Sequence, residues 1–160
     1  MALIRSAILA CSAILGATLP AHATFQVIYD VLGVYDDGAG PGLGTATVMH
    51  CSNVGFSAVN VRVRAIGING TQAGNVVTVS IPALNSVAFS THRTNVFLDD
   101  DLTSPLATGA MMPGRARIFT EVPASIVCAA QWLDAQNNPP TFLTPLRMIR
   151  LPRGTSGGED

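Results

Sequence analysis

The chain is 160 residues long, with nine basic residues, all of them arginine, against ten Asp and Glu, giving a formal charge of −1 with histidine neutral. The absence of lysine excludes Schiff-base chemistry, a phosphate-loop lysine and a lysine general base, and the near-neutral balance is a poor basis for nucleic-acid or anionic-membrane binding. A 48% hydrophobic content places the chain among those able to bury a core.

The N-terminus shows three zones in order: the lone charge Arg5, an apolar run from Ser6 to Leu19 broken by Pro20, and the small-x-small site Ala21-His22-Ala23. That order predicts a removable export signal over residues 1–23, a mature chain starting at Thr24, and a secreted or periplasmic location. The run is too short to span a bilayer, so the mature chain is expected to have no transmembrane segment. A lipoprotein reading, with Ile8-Leu9-Ala10-Cys11 as a lipobox, competes with it, but the apolar stretch continues past Cys11. Removing 23 residues leaves 137 and a formal charge of −2, since Arg5 leaves with the signal. One domain over 24–151 and a disordered tail over 152–160 are expected.

Beyond the signal the chain reads as strands and turns, without an amphipathic helix. Phe25 to Tyr35 is the first apolar run, followed by the glycine-rich turn Asp36 to Gly44 and a second run, Thr45 to Cys51. From Ala58 to Ile66 apolar and polar residues alternate, placing Val59, Val61, Val63 and Ala65 on one face and Asn60, Arg62 and Arg64 on the other. Asn69-Gly70 suits a two-residue hairpin turn, and with Thr71 it also fits a glycosylation sequon. Val77 to Ile81 and Val87 to Ser90 follow, joined by a turn at Pro82 to Asn85. Thr91 to Gly114 lacks a strand pattern and is expected as a long loop, functional or mobile. Arg115 to Thr120, Ser125 to Leu133 and Leu146 to Leu151 complete the series, separated by Val122-Pro123-Ala124 and Asn137-Asn138-Pro139-Pro140.

Seven to eight short strands at this spacing predict an all-β fold, an antiparallel β-sandwich that is immunoglobulin-like in architecture. The finer marks of an immunoglobulin domain are missing: Trp132 follows the second cysteine, and Ile126 stands where a tyrosine corner would place Tyr. A sandwich by itself implies no function. Once the signal is removed two cysteines remain, Cys51 and Cys128, 77 positions apart. Neither has the neighbouring ligand spacing of a zinc site, so they are expected to form a disulfide that staples the two sheets, with a chain-entropy stabilisation of about 4–5 kcal/mol at most.

Few residue groups point to chemistry. Met49-His50-Cys51, with Met111, Met112 and Met148 elsewhere, raises copper, but no histidine follows Cys128 and His50 points away from Met49 and Cys51. Asp99-Asp100-Asp101 raises calcium but lacks the spacing of a calcium loop and reads as a solvated acidic turn. Gly38 to Gly44 has no following helix and reads as a flexible turn, not a phosphate loop. For hydrolysis, the two remaining histidines, His50 and His92, lie in no recognisable context and no Gly-x-Ser-x-Gly elbow occurs. No catalytic residue, metal ligand or cofactor is therefore assigned.

Arginines supply the one binding feature. Arg62 and Arg64 lie on one strand face, Arg115 and Arg117 on another, and Arg147 and Arg150 near each other on a third, so adjacent strands would form a guanidinium stripe suited to an anionic partner. The plain alternative is that they keep strand faces soluble. The leading expectation is an exported, non-enzymatic binding, adhesion or assembly module whose partner is another exported protein or an anionic surface polymer. A periplasmic copper- or calcium-handling protein comes second and a secreted hydrolase third. Oligomeric state has no signal in the sequence.

Overall fold

A computed structural model describes residues 24–96 and 103–152; the expected leader, the Asp99–Asp101 run and residues 153–160 lie outside the described residues. The strands are β1 (Gln26–Asp36), β2 (Thr45–Asn53), β3 (Val59–Ile66), β4 (Gln72–Ile81), β5 (Ser86–Ser90), β6 (Thr103–Pro105), β7 (Met111–Thr120), β8 (Ile126–Asp134), β9 (Leu143–Pro145) and β10 (Met148–Arg150). They form two five-stranded sheets, ordered β10-β1-β7-β3-β4 and β6-β5-β2-β8-β9. All pairings are antiparallel except the short parallel contact of β5 with β6. The fold is thus the expected β-sandwich.

Alternation builds the core. Val59, Val61, Val63 and Ala65 of β3 turn inward with Val31, Ala116 and Ile118 of its own sheet and meet Met49, Cys51, Val87, Phe89 and Ile126 of the other. Each fully buried aliphatic or aromatic side chain among them contributes about 1.5–3 kcal/mol relative to exposure. At one end the sheets are also tied by hydrogen bonds. β1 carries register shifts around Val34 and a positive φ of 81° at Gly33, irregularities of the kind that bend a strand. Gly33 O accepts from Trp132 Nε1 at 2.7 Å, and Thr47 Oγ1 bonds both Tyr35 N and Tyr35 O, at 2.8 and 2.7 Å.

The bridge is present but differs from expectation. Cys51 lies directly opposite Cys128 in the β2–β8 ladder, their Cα atoms 4.2 Å apart, so the disulfide joins neighbouring strands of one sheet and does not staple the two. Sequence placed both cysteines in mid-strand; which strands pair is a tertiary fact.

Other boundaries move for local reasons. β4 starts at Gln72 instead of Val77, because a bulge between Ala73 and Val77 lets the strand continue past Gly74. β7 starts at Met111, ahead of Arg115. Its first four residues pair with β1 alone, so Pro113, which has no N–H, interrupts no ladder to β3. β6 and β9 are additional three-residue strands. The β3–β4 connection is a five-residue loop over 67–71, not a two-residue turn, and Asn69 Oδ1 accepts from both Thr71 N and Thr71 Oγ1. The stretch from Thr91 to Gly114 is not a structureless loop in its described parts. Thr91, His92, Thr94 and Leu106 are buried, and Leu106 N donates to Ser90 O at 2.6 Å.

Candidate anion-binding face and a buried acid–histidine clasp

On the outer side of the first sheet, Arg62 and Arg64 of β3 lie beside β7, with Arg64 opposite Arg117, Ile66 opposite Arg115 and Arg62 opposite Phe119. Across β7 the register sets Asp30 against Arg117 and Leu32 against Arg115. The structure therefore gathers the four expected arginines on one face. Their floor is aromatic: Arg62 Cζ stands 4.0 Å from the Phe25 ring centre and Arg64 Cζ 5.7 Å from that of the buried Phe119. Such stacking fixes the plane of a guanidinium group.

Asp30 is the acid within this group. Its Oδ2 is 3.6 Å from Arg115 Nη1 and its Oδ1 is 4.0 Å from Arg117 Nε. Both contacts exceed hydrogen-bond length, and Asp30 Oδ1 and Arg117 Nε, each buried, have no hydrogen-bond partner among the described residues. Like charges directly opposite across strands are destabilising, and at Arg117 the repulsion of the Arg64–Arg117 pair is partly offset by this loosely held carboxylate. Arg62 Nε donates to Thr78 Oγ1 at 3.2 Å, and Glu121, further along, accepts from Asn60 Nδ2.

Arg150 leaves the stripe. It pairs in register with Tyr29, an inward-facing core residue, and gives Nη1 to Tyr29 Oη at 3.2 Å and Nη2 to Pro123 O at 3.0 Å. Arg147 is exposed, and its carbonyl accepts from Leu32 N. The two therefore form no third arginine pair on this face, because Arg150 is held against Tyr29 while Arg147 precedes β10.

The histidines also depart from expectation. His50 is half-buried between Ala88 and Ala129 on the outer side of the second sheet, and burial pushes its pKa down. His92 has a well-defined context after all. Its Nδ1 lies 2.8 Å from Asp36 Oδ2 and its Nε2 2.9 Å from Leu43 O, with the side chains 9% and 1% exposed for His92 and Asp36. With Asp36 ionised both partners are acceptors, an arrangement that favours the doubly protonated ring, an imidazolium facing a carboxylate. Asp36 Oδ1 also takes the Gly38 N–H at 2.7 Å. Hydrogen bonding to Asp36 raises the His92 pKa against the opposing effect of burial. Burial alone would raise Asp36, but the His92 and Gly38 hydrogen bonds outweigh it and hold the carboxyl below its usual range.

This clasp orders the glycine-rich turn that was expected to be flexible. Gly42 N donates to Arg93 O, Asn95 Nδ2 to Gly42 O, and Ala135 N to Gly44 O, while Asp37 accepts from Ala39 N and Thr45 N. Donor atoms of Asp36, Asp37 and His92 lie within 4.8 Å of one another, a spacing that suits a metal ion. Here, however, both imidazole nitrogens are engaged with oxygens, Asp36 Oδ2 and Leu43 O, and a metal would have to displace one of these bonds. The same two bonds turn both ring nitrogens toward protein oxygens and away from any nucleophile. For the Met49-His50-Cys51 group, the Cys51 sulfur is bound to Cys128 and offers no thiolate to copper.

Nothing in the sequence joined Asp36 to His92, which are 56 residues apart. The available signal was weak: Asp36 ends a strongly apolar run, where a charged side chain that cannot reach water requires an opposite charge, but nothing in the sequence pointed to His92 as the partner. Among the described residues no helix is long and apolar enough to cross a membrane. Comparison with known proteins finds no matching family model, no matching curated protein and no matching solved structure.

Proposed function

We propose that this chain is an exported, non-enzymatic binding module that engages an anionic partner, a surface polymer or the acidic edge of another exported protein, through the outer face of its first sheet. The observation that carries this reading is the cross-strand pair Arg64–Arg117, flanked by Arg62 and Arg115 and offset within the group by Asp30 at 3.6 and 4.0 Å. Two guanidinium groups held side by side on a rigid sheet form a planar array of donors that matches carboxylate, sulfate or phosphate oxygens. A folded sheet also presents them without the ordering cost that loop residues would incur.

The measurement is salt-dependent retention on a carboxylated or sulfonated matrix. The mature chain carries a net formal charge of −2 if cleaved before Thr24, so retention would report a local positive face and not bulk charge. Replacing Arg62, Arg64, Arg115 and Arg117 together by Gln should move elution to clearly lower salt with the fold intact. Equal elution of the two proteins would refute the reading and leave these arginines as solubilising residues.

A further inference from the structure

The four edges of the two sheets are managed unequally. β10, β6 and β9 are three residues long, short enough to offer little template, whereas β4 runs for ten. Natural edge strands are usually blunted by charge, proline, a bulge or a covering segment. From Gln72 to Ile81, QAGNVVTVSI, β4 has no charge and no proline. Its bulge and its covering contact both fall at the N-terminal end, where Asn75 N donates to Leu106 O at 2.8 Å. At the other end the Ile81 carbonyl accepts from Asn53 Nδ2 at 3.0 Å. Between them, Val76 to Ser80 has no backbone hydrogen bond other than its ladder to β3 among the described residues. Val77 and Val79 pack on the core from this edge but remain partly uncovered.

From this we infer that β4 is an assembly edge at which two copies of the chain pair antiparallel about a two-fold axis through Thr78, making one continuous ten-stranded sheet. Directly opposed residues in an antiparallel pair share a face, so a self-paired strand must be centred on a residue, and Thr78 is the midpoint of the open stretch. That register sets Thr78 against Thr78, Val77 against Val79 and Val76 against Ser80, a hydroxyl pair flanked by apolar contacts with no like charges opposed. A second copy is favoured over a charged partner because the edge offers no charge to recognise one. The nearest arginine, Arg62, lies one strand in, opposite Thr78. Across the dimer the two Arg62 residues would stand three strand spacings apart, about 14 Å, beyond the screening length of about 8 Å at physiological salt. A single strand pair buries a small area, so the dimer is reversible and concentration-dependent. It is independent of the arginine face, which a monomer would keep.

Sedimentation velocity of the purified protein over a wide concentration range should show mass rising toward twice the monomer. Thr78→Glu should weaken association roughly fivefold or more, because two carboxylates then meet across the axis, while the monomer keeps its melting temperature since a carboxylate there faces Arg62. Under oxidation Thr78→Cys should give a dimer linked through position 78, directly opposed Cα atoms lying at disulfide distance. Ser80→Cys should not, because its copy lies about 13 Å away along the strand. A protein that stays monomeric throughout would overturn the proposal. So would a dimer unaffected by Thr78→Glu, equal crosslinking at positions 78 and 80, or amide protection of Val76 to Ser80 by a co-purified foreign strand.

Discussion

Asp36 and Asp30 both lie against cationic side chains, and the molecule treats them in opposite ways. Asp36 meets the His92 imidazolium at 2.8 Å in an interior where both side chains are less than a tenth exposed, and every N–H of the ring is used. Asp30 faces two guanidinium groups at 3.6 and 4.0 Å on a sheet surface, where Arg115 remains 42% exposed. A pair that consumes all its donors can only hold the chain together, whereas a pair left long and half-exposed keeps donors for something else. The same residue chemistry thus serves as a clasp at one end of the sandwich and as a candidate recognition surface on its flank.

The largest effect should come from breaking the clasp. Asp36→Ala leaves a buried imidazolium without its counter-charge, and losing one partner of a buried pair costs about 3–5 kcal/mol. Chemical denaturation should report that loss, together with faster amide exchange in the turn over 37–44 that Leu43 O anchors. A loss below about 1 kcal/mol would mean that Asp36 and His92 do not act as an ion pair. Reducing the Cys51–Cys128 bridge sets the scale, with about 2–5 kcal/mol expected. The comparison belongs at pH 6, where the thiols freed by reduction stay protonated and add no titration of their own.

Clasp stability, in contrast, must depend on pH in both directions. The folded His92 pKa lies above the free value of 6.5, so its contribution is complete below that value and is lost as pH rises through the raised one. The folded Asp36 pKa lies below 3.8, so its contribution is present above that value and is lost as pH falls through the lowered one. Melting temperature should therefore plateau between the two and decline on each side, and Asp36→Asn combined with His92→Gln should flatten the alkaline decline. A wild-type alkaline limb that persists unchanged in the double variant would assign the titration to another group.

How much of this was legible depends on how local the cause is. Val59, Val61, Val63 and Ala65 announce their strand because alternation is a property of adjacent residues, and the same periodicity placed Arg62 and Arg64 on its outer face. That Arg64 would stand opposite Arg117, with Asp30 one strand further, depends on register between β1, β7 and β3, which no single strand encodes. The disulfide shows the same division, its partners legible by count but their placement within one sheet not. The clasp was least legible of all, because Asp36 ends β1 while His92 lies two residues beyond the end of β5, and the two meet only through the tertiary fold.

The smallest predicted effect tests the open side of the comparison. Asp30 is the acid that faces Arg115 and Arg117, and both contacts lie beyond hydrogen-bond range. An exposed or loosely held ion pair contributes about 0–1 kcal/mol, so Asp30→Asn should shift stability by no more than that. Its effect on binding should have the opposite sign to the arginine substitutions. Removing this counter-charge raises the repulsion felt by Arg115 and Arg117, and an external anion then relieves it. Asp30→Asn should therefore elute from an anionic matrix at higher salt than the unmodified protein, where the four-fold Arg→Gln variant elutes at lower salt. Because the substitution also raises net charge by one, Asp37→Asn on the distant turn serves as the control for bulk charge. Retention that rises equally in both would show that the matrix reads net charge alone and that the face has no special role.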